Sequence, residues 1–325
     1  MTLRYIFFNA VGRLRSGWRV CAFSISYFFL TIIFGLGAYA VLNLLKIGFA
    51  PNNFISLTTT FTIFSIVSIF LGWFYDRFFE DLPFRALGCS LAKNWFKDLT
   101  LGLLFGTIAI LLAALIAWAG GGLKFELNQT ANAATILSTL LTTLIIFIVG
   151  AISEETLFRG YVLQTLFRAK YIWFGILLTS LFFASAHNNN PGASPLSWLN
   201  TFIAGIWFAA AYYKTRNLWF PFGLHLTWNW LQGSILGITV SGITEITPAP
   251  LLRATQTGSV WLNGGSYGVE GGAACTIVLI LATLLIWFAP FLKPTEEMLI
   301  LTSRENPVEA KLAETNLAEN FRDGK

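Results

Sequence analysis

Seven stretches of this sequence run for 22 residues or more without a single Asp, Glu, Lys or Arg: 20–45, 47–75, 99–123, 127–153, 171–213, 217–244 and 271–292. A helix needs about 20 mostly apolar residues to cross the ~30 Å hydrocarbon layer of a bilayer, so each stretch is long enough to span one. The fifth is too long for a single helix, and Asn188-Asn189-Asn190-Pro191-Gly192 interrupts it with turn-forming residues. The pattern predicts an all-α, polytopic membrane protein with eight spans. Charged residues make up only 11% of the chain, against about 25% in soluble domains, and the 31 Phe and 12 Trp make the apolar excess bulky. A soluble fold has no interior large enough to hide that surface. The first stretch is too long for the apolar core of a cleavable signal, so it is expected to remain as the first span. The three cysteines, Cys21, Cys89 and Cys275, are too dispersed for a disulfide framework or a thiolate metal site. They read as small apolar fillers.

Orientation follows from the basic residues. With the N-terminus inside and Arg159 set aside as intramembrane, 17 of the other 20 Lys and Arg fall in inside segments, and only Lys46, Lys124 and Arg253 fall outside. That bias places both termini in the cytoplasm. The basic residues are scattered in small groups and form no single stripe, which excludes nucleic acid as a partner. The chain divides into a basic amphipathic entry segment (1–16), the first three spans (17–126), a core of spans four to seven (127–244), an outside loop with the eighth span (245–292), and a polar tail (293–325) read as a short helix or disorder.

Three ionisable residues interrupt this apolar plan. The fourth span continues past residue 153 through Glu154, Glu155 and Arg159 to Arg168 without a proline, which predicts one long helix up to a tight turn at Ala169-Lys170. Each intramembrane charge costs roughly 2.5–3.5 kcal/mol near the bilayer centre, so such residues mark function by default. Glu155 and Arg159, four apart, share a helix face and can pair. Glu154 points about 100° away and is left free to act. The plainer alternative is a buried Glu–Arg pair with the second Glu facing water.

The only two histidines favour a shared site. His187 lies near the end of the fifth span, one turn after Phe183, and His225 lies in the seventh, one turn before Asn229. Counted from the turn after the fourth span, Glu154 and His187 fall within roughly 3 Å of the same depth. Carboxylate plus imidazole is a general acid–base set, and His225 with Asn229 can donate to one developing oxyanion. The pieces suit addition of water to an amide carbonyl. They equally offer three Zn²⁺ ligands on three helices, Glu154, His187 and His225, with Asn229 a weaker fourth; spacing alone does not separate the two schemes. There is no His-Glu-x-x-His and no Lys within a span.

Glu154-Glu155-x-x-x-Arg159, Phe183-x-x-x-His187 and His225-x-x-x-Asn229 together resemble the three signature motifs of the CAAX protease and bacteriocin-processing family (CPBP, or Abi). That family includes the eukaryotic type II CAAX prenyl endopeptidases and many bacterial homologues. The resemblance covers roughly 127–240, and the stretch from Trp261 through Gly264-Gly265 to Glu270-Gly271 also looks like bacterial members. It implies an intramembrane endopeptidase with a conical cavity open to the cytoplasmic side. Glu154 would activate water with help from His187, and His225 and Asn229 would stabilise the oxyanion. Glu155 and Arg159 would order the fourth helix, and Phe183 would wall the site. The family carries a metalloprotease label while a metal-free glutamate mechanism suits its eukaryotic branch, so one Zn²⁺ or no cofactor is implied. The implied substrate is a membrane-associated protein or peptide, prenylated in the strict CAAX case, met in the plasma (inner) membrane if the host is bacterial. The competing readings are a non-catalytic immunity or scaffold factor that retains the site, and a transporter, which would lack the usual repeat symmetry.

Overall fold

The computed structural model describes residues 6–9, 12–47, 53–91 and 93–303. Its helices are α1 (Ser16–Leu44), α2 (Phe54–Phe79), α3 (Trp95–Ala119), α4 (Ala133–Arg168), α5 (Ile172–Ala186), α6 (Pro195–Thr215), α7 (Trp219–Trp230), α8 (Ala273–Phe288) and a short α9 (Glu296–Ser303). Each predicted span overlaps one of the first eight. Among the described residues, only α1 to α4 are both long and apolar enough to cross a membrane by themselves, whereas α5 and α8 are apolar but have 15 and 16 residues. Helix α1 leaves Ile25, Phe28, Phe29, Ile33 and Leu36 exposed, a surface suited to lipid.

Local chemistry explains where the helices depart from the apolar runs. The second run begins at 47, but α2 starts only after Asn53, whose side chain accepts a hydrogen bond from the Ser56 N–H. Asn132 caps α4 in the same way through the Thr135 N–H. Ser194 and Ser197 form a reciprocal capping box with Pro195 in the first turn of α6. The segment between α3 and α4 contains a strand, β1 (Leu123–Leu127), which pairs antiparallel with β2 (Leu252–Gln256). This two-stranded sheet is the exception to the all-α expectation. Its signal was present, since Leu123, Phe125 and Leu127 alternate with Lys124 and Glu126.

Two features set the positions of the site-bearing helices. Helices α3 and α7 meet through Gly102, Gly106 and Gly223: a Cβ on Gly223 would lie 2.7 Å from the Leu103 nitrogen, and one on Gly106 would strike the Thr227 hydroxyl. In lipid, such backbone proximity supplies the dispersion energy that a hydrophobic driving force cannot. At the other end of the bundle, charges expected in water at the cytoplasmic flank are buried instead. Arg168 Nε donates to Glu80 Oε2 at 2.7 Å, its Nη2 donates to Asp76 at 2.9 Å, and Arg19 lies 3.3 Å from Glu80. All four residues are at most 2% exposed, so the ionic cluster ties α1, α2 and α4 together beneath the basic face. Burial pushes the Glu80 carboxyl up, but the Arg168 and Arg19 guanidiniums outweigh it and hold the group at about 2.

The start of the polar tail folds as α9, with Met298 and Leu301 against Leu82 and Ala86, and Glu297 paired to Arg85 at 2.9 Å. The rest of that tail (304–325), and residues 1–5, 10 and 11 of the amphipathic entry segment, lie outside the described residues.

Candidate active site

Helix α4 reaches from Ala133 to Arg168, the length its sequence predicts, but it is kinked where one unbroken helix was expected. Glu154 and Glu155 close its regular part, and from Thr156 to Val162 it widens into a π-helical stretch that departs from helical backbone at Gly160 (ψ −121°). Such wide turns are costly and concentrate at functional positions. Arg159, in the middle of it, is fully buried. Its Nη1 donates to Glu155 Oε1 at 3.2 Å, and its Nη2 donates to the Gly205 carbonyl at 3.1 Å. The guanidinium carbon also lies 4.6 Å from the Phe183 ring centre and 5.0 Å from that of Phe208. One carboxylate, one carbonyl and two ring faces therefore replace its water.

The expected Glu155–Arg159 pair is present, but Glu155 has a second partner that spacing did not reveal. His225 Nδ1 lies 2.9 Å from the same Glu155 Oε1, and His225 Nε2 faces Glu154 Oε2 at 3.7 Å. Phe208 stacks on the imidazole at 4.8 Å between centres. Both nitrogens of His225 thus face the two glutamates, and Asn229, one turn on, lines the cavity with no side-chain hydrogen bond among the described residues. His187 follows the last turn of α5, and its Nδ1 lies 2.8 Å from the Phe183 carbonyl. A carbonyl can only accept, so Nδ1 carries the proton and Nε2 of the neutral ring keeps its lone pair.

Glu154, Phe183, His187, His225 and Asn229 line one cavity of about 100 Å³, room for several waters. Glu155 and Arg159 stand behind its wall. Glu154 Oε2 is buried with no hydrogen-bond partner among the described residues, while the side chain as a whole is 24% exposed. The Zn²⁺ alternative fares worse. Among the described residues, no three His, Cys, Asp or Glu side chains come together in a way that would hold a metal ion, so Glu154, His187 and His225 do not fit that role as arranged.

Residues with no role in the sequence reading complete the wall: Phe208 and Asn200 from α6, Asn190 after α5, and Ser241 and Glu270 from the long segment between α7 and α8. Asn190, Asn200, Ser241 and Glu270 belong to loops and helix starts at the end of the bundle away from the Ala169-Lys170 turn. The other end is filled by Leu163, Phe167, Ile176 and Tyr212, all buried. The segment carrying Ser241 and Glu270 could be recognised as long and Gly-rich, but nothing in one sequence says that it folds back over the helices.

Comparison with known proteins agrees with the motifs. Residues 135–231 match the family of type II CAAX prenyl endopeptidase Rce1-like proteins, and that segment contains all three motifs. A protein of Escherichia coli described as an uncharacterized 24.3 kDa protein is 38% identical over 95 residues, covering 28% of this chain and 42% of that relative. The chain therefore spans less than half the length of the curated relative it matches. The resemblance read from the motifs is borne out over that segment, and the helices long and apolar enough to cross a membrane fit a multi-pass membrane protein.

Proposed function

We propose that the Rce1-like segment is the catalytic core of an intramembrane endopeptidase, which hydrolyses a peptide bond of a membrane-associated protein or peptide with glutamate-activated water. One observation supports this reading: Glu154 lines one cavity together with two imidazoles and the Asn229 amide, and His225 Nε2 faces it at 3.7 Å. A water bound between Glu154 and the bare Nε2 of His187 loses its proton to Glu154 as its oxygen attacks the carbonyl carbon. The resulting oxyanion takes hydrogen bonds from the Asn229 amide and from His225 Nε2–H. His225 carries both ring protons at that moment, and Glu155, bonded to Nδ1–H, offsets its charge. The proton on Glu154 then passes to the leaving nitrogen as the C–N bond breaks. Glu155 and Arg159 act through His225 and the widened turn as positioning residues.

Eight spans with both termini in the cytoplasm, in a bacterial plasma membrane if the host is one, complete the proposal. With that orientation the cavity rim (Asn190, Ser241, Glu270) faces outward. This is opposite to the side implied by the family resemblance, so the substrate is a segment reachable from outside or from the outer leaflet.

The test is proteomic comparison of membranes carrying the wild-type protein or Glu154→Gln. Cleavage products should disappear in the variant, with a rate loss of at least about a hundredfold for a purified substrate, while thermal stability is retained. Cleavage by Glu154→Gln at the wild-type rate would remove the reading and favour a non-catalytic factor.

A further inference from the structure

We propose that Glu270 is an anionic subsite of the same cavity, where it takes a cationic group of the peptide substrate close to the scissile bond. The proposal rests on the endopeptidase reading above and extends it to substrate class.

Glu270 reaches the cavity from the segment between β2 and α8, yet it lines the same wall as Glu154 and His187. It is held there from one side only. Its Oε2 accepts from the Ser241 N–H at 2.5 Å, the Ser241 hydroxyl at 3.1 Å and Gln232 Nε2 at 3.0 Å. No hydrogen bond reaches Oε1 from the described residues. Its backbone carbonyl is fixed as well, accepting from Asn200 Nδ2 at 2.7 Å. Next to it, Gln232 is fully buried and its Oε1 has no hydrogen-bond partner among the described residues. Gln232 stands behind the lining, so the acceptor left open towards the cavity is Glu270 Oε1, on a side chain too well anchored to turn away.

The charge balance gives the ligand's sign. Among the described residues that line the cavity, Glu154 and Glu270 are carboxylates and none is Lys or Arg. Arg159 is committed behind the wall to Glu155 and the Gly205 carbonyl. Burial pushes the Glu270 carboxyl above its ordinary range, and the Ser241 and Gln232 bonds recover only part of that cost. The nearby His187 imidazole offsets the charge in part, and this half-buried carboxylate gains further when a permanent cation arrives. A lysine or arginine side chain, or a free α-amino group, would supply both the charge and the missing donors. A free C-terminal carboxylate close to the scissile bond would be repelled. The surrounding Phe147, Phe183 and Trp228 fit apolar neighbours of that cation.

The experiment measures binding to the full-length protein in nanodiscs, in a Glu154→Gln background so that turnover does not intervene. The probes are short Leu/Phe/Ser peptides with a neutral dye on the C-terminal amide. They carry one central Lys or norleucine, each with a free or acetylated N-terminus. Glu154→Gln protein should bind the cationic peptides at least about tenfold more tightly than the acetylated norleucine peptide. Adding Glu270→Gln should collapse that ratio to within about twofold, and Glu270→Asp should restore part of it. Preference for acetylated Lys peptides assigns a side-chain cation, and preference confined to free N-termini assigns the α-amine; either supports the subsite. Equal binding of cationic and neutral peptides, no binding of any, or a ratio unmoved by Glu270→Gln overturns it. Cleavage by the wild type is scored separately: binding preference without cleavage sinks the endopeptidase reading alone, and cleavage without preference sinks the subsite alone.

Discussion

Glu154 and Glu155 are adjacent and chemically identical, and their environments separate them. Glu155 is 1% exposed and spends one oxygen on both Arg159 and His225. Glu154 has a buried oxygen with no hydrogen bond and a path to solvent. The first is a fixed counter-charge, and the second is available for proton transfer. Removing Arg159 leaves a buried carboxylate short of charge, so Arg159→Leu should destabilise by about 3–5 kcal/mol. Arg159→Lys should cost less but remain measurable, because an ammonium cannot reproduce the planar fork between Glu155 and the Gly205 carbonyl. Thermal unfolding in detergent reads both. The double variant Glu155→Leu/Arg159→Leu should recover much of the stability and none of the activity, since His225 has then lost its partner. Equal stability of all three variants and the wild type would show that the pair does not hold the site.

At the scale of elements, the proposed catalytic set depends on how closely α7 approaches α3. His225 and Asn229 belong to α7, and that helix is seated where Gly102, Gly106 and Gly223 remove side chains from the contact. Gly106→Leu would have to displace the Thr227 hydroxyl and the backbone of Leu224, moving His225 away from the glutamates of α4. A shift of about 1 Å in a catalytic group can cost on the order of a hundredfold in rate. The expected result is a fall in kcat of that size, read from turnover of a purified substrate, in protein that still inserts. An unchanged kcat would mean that α7 is positioned by its other contacts. The π-helical stretch of α4 was invisible beforehand, because no residue type marks a wide turn; it carries Arg159 to the Gly205 carbonyl of α6.

For the whole molecule, the decisive asymmetry lies between its two ends. One end is closed by the Arg19–Glu80–Arg168–Asp76 cluster and a packed core. The other is rimmed by loops that reach the cavity. With the proposed orientation, a cysteine placed at Asn190 in a cysteine-free background should react with a membrane-impermeant maleimide in intact cells, and one at Lys170 should react only after permeabilisation. The reverse pattern would turn the protein over in the membrane and return the cavity to the cytoplasmic side. Added peptide substrate should slow labelling at position 190 by at least about tenfold if that rim is the entrance.

The sequence by itself determined that the chain lives in a membrane, because uncharged runs of bilayer length have no other stable environment. It also singled out the polar residues on which the proposal rests, because an ionisable group in such a run is too costly to persist without a partner or a task. Helical spacing sufficed for the Glu155–Arg159 pair, a contact within one turn. Tertiary structure alone decided that Glu155 also holds His225, that Phe183 and Phe208 cage Arg159, and that Glu270 joins the cavity. Those contacts link residues tens of positions apart, and their geometry depends on how helices pack and where a loop folds back, which no periodicity encodes.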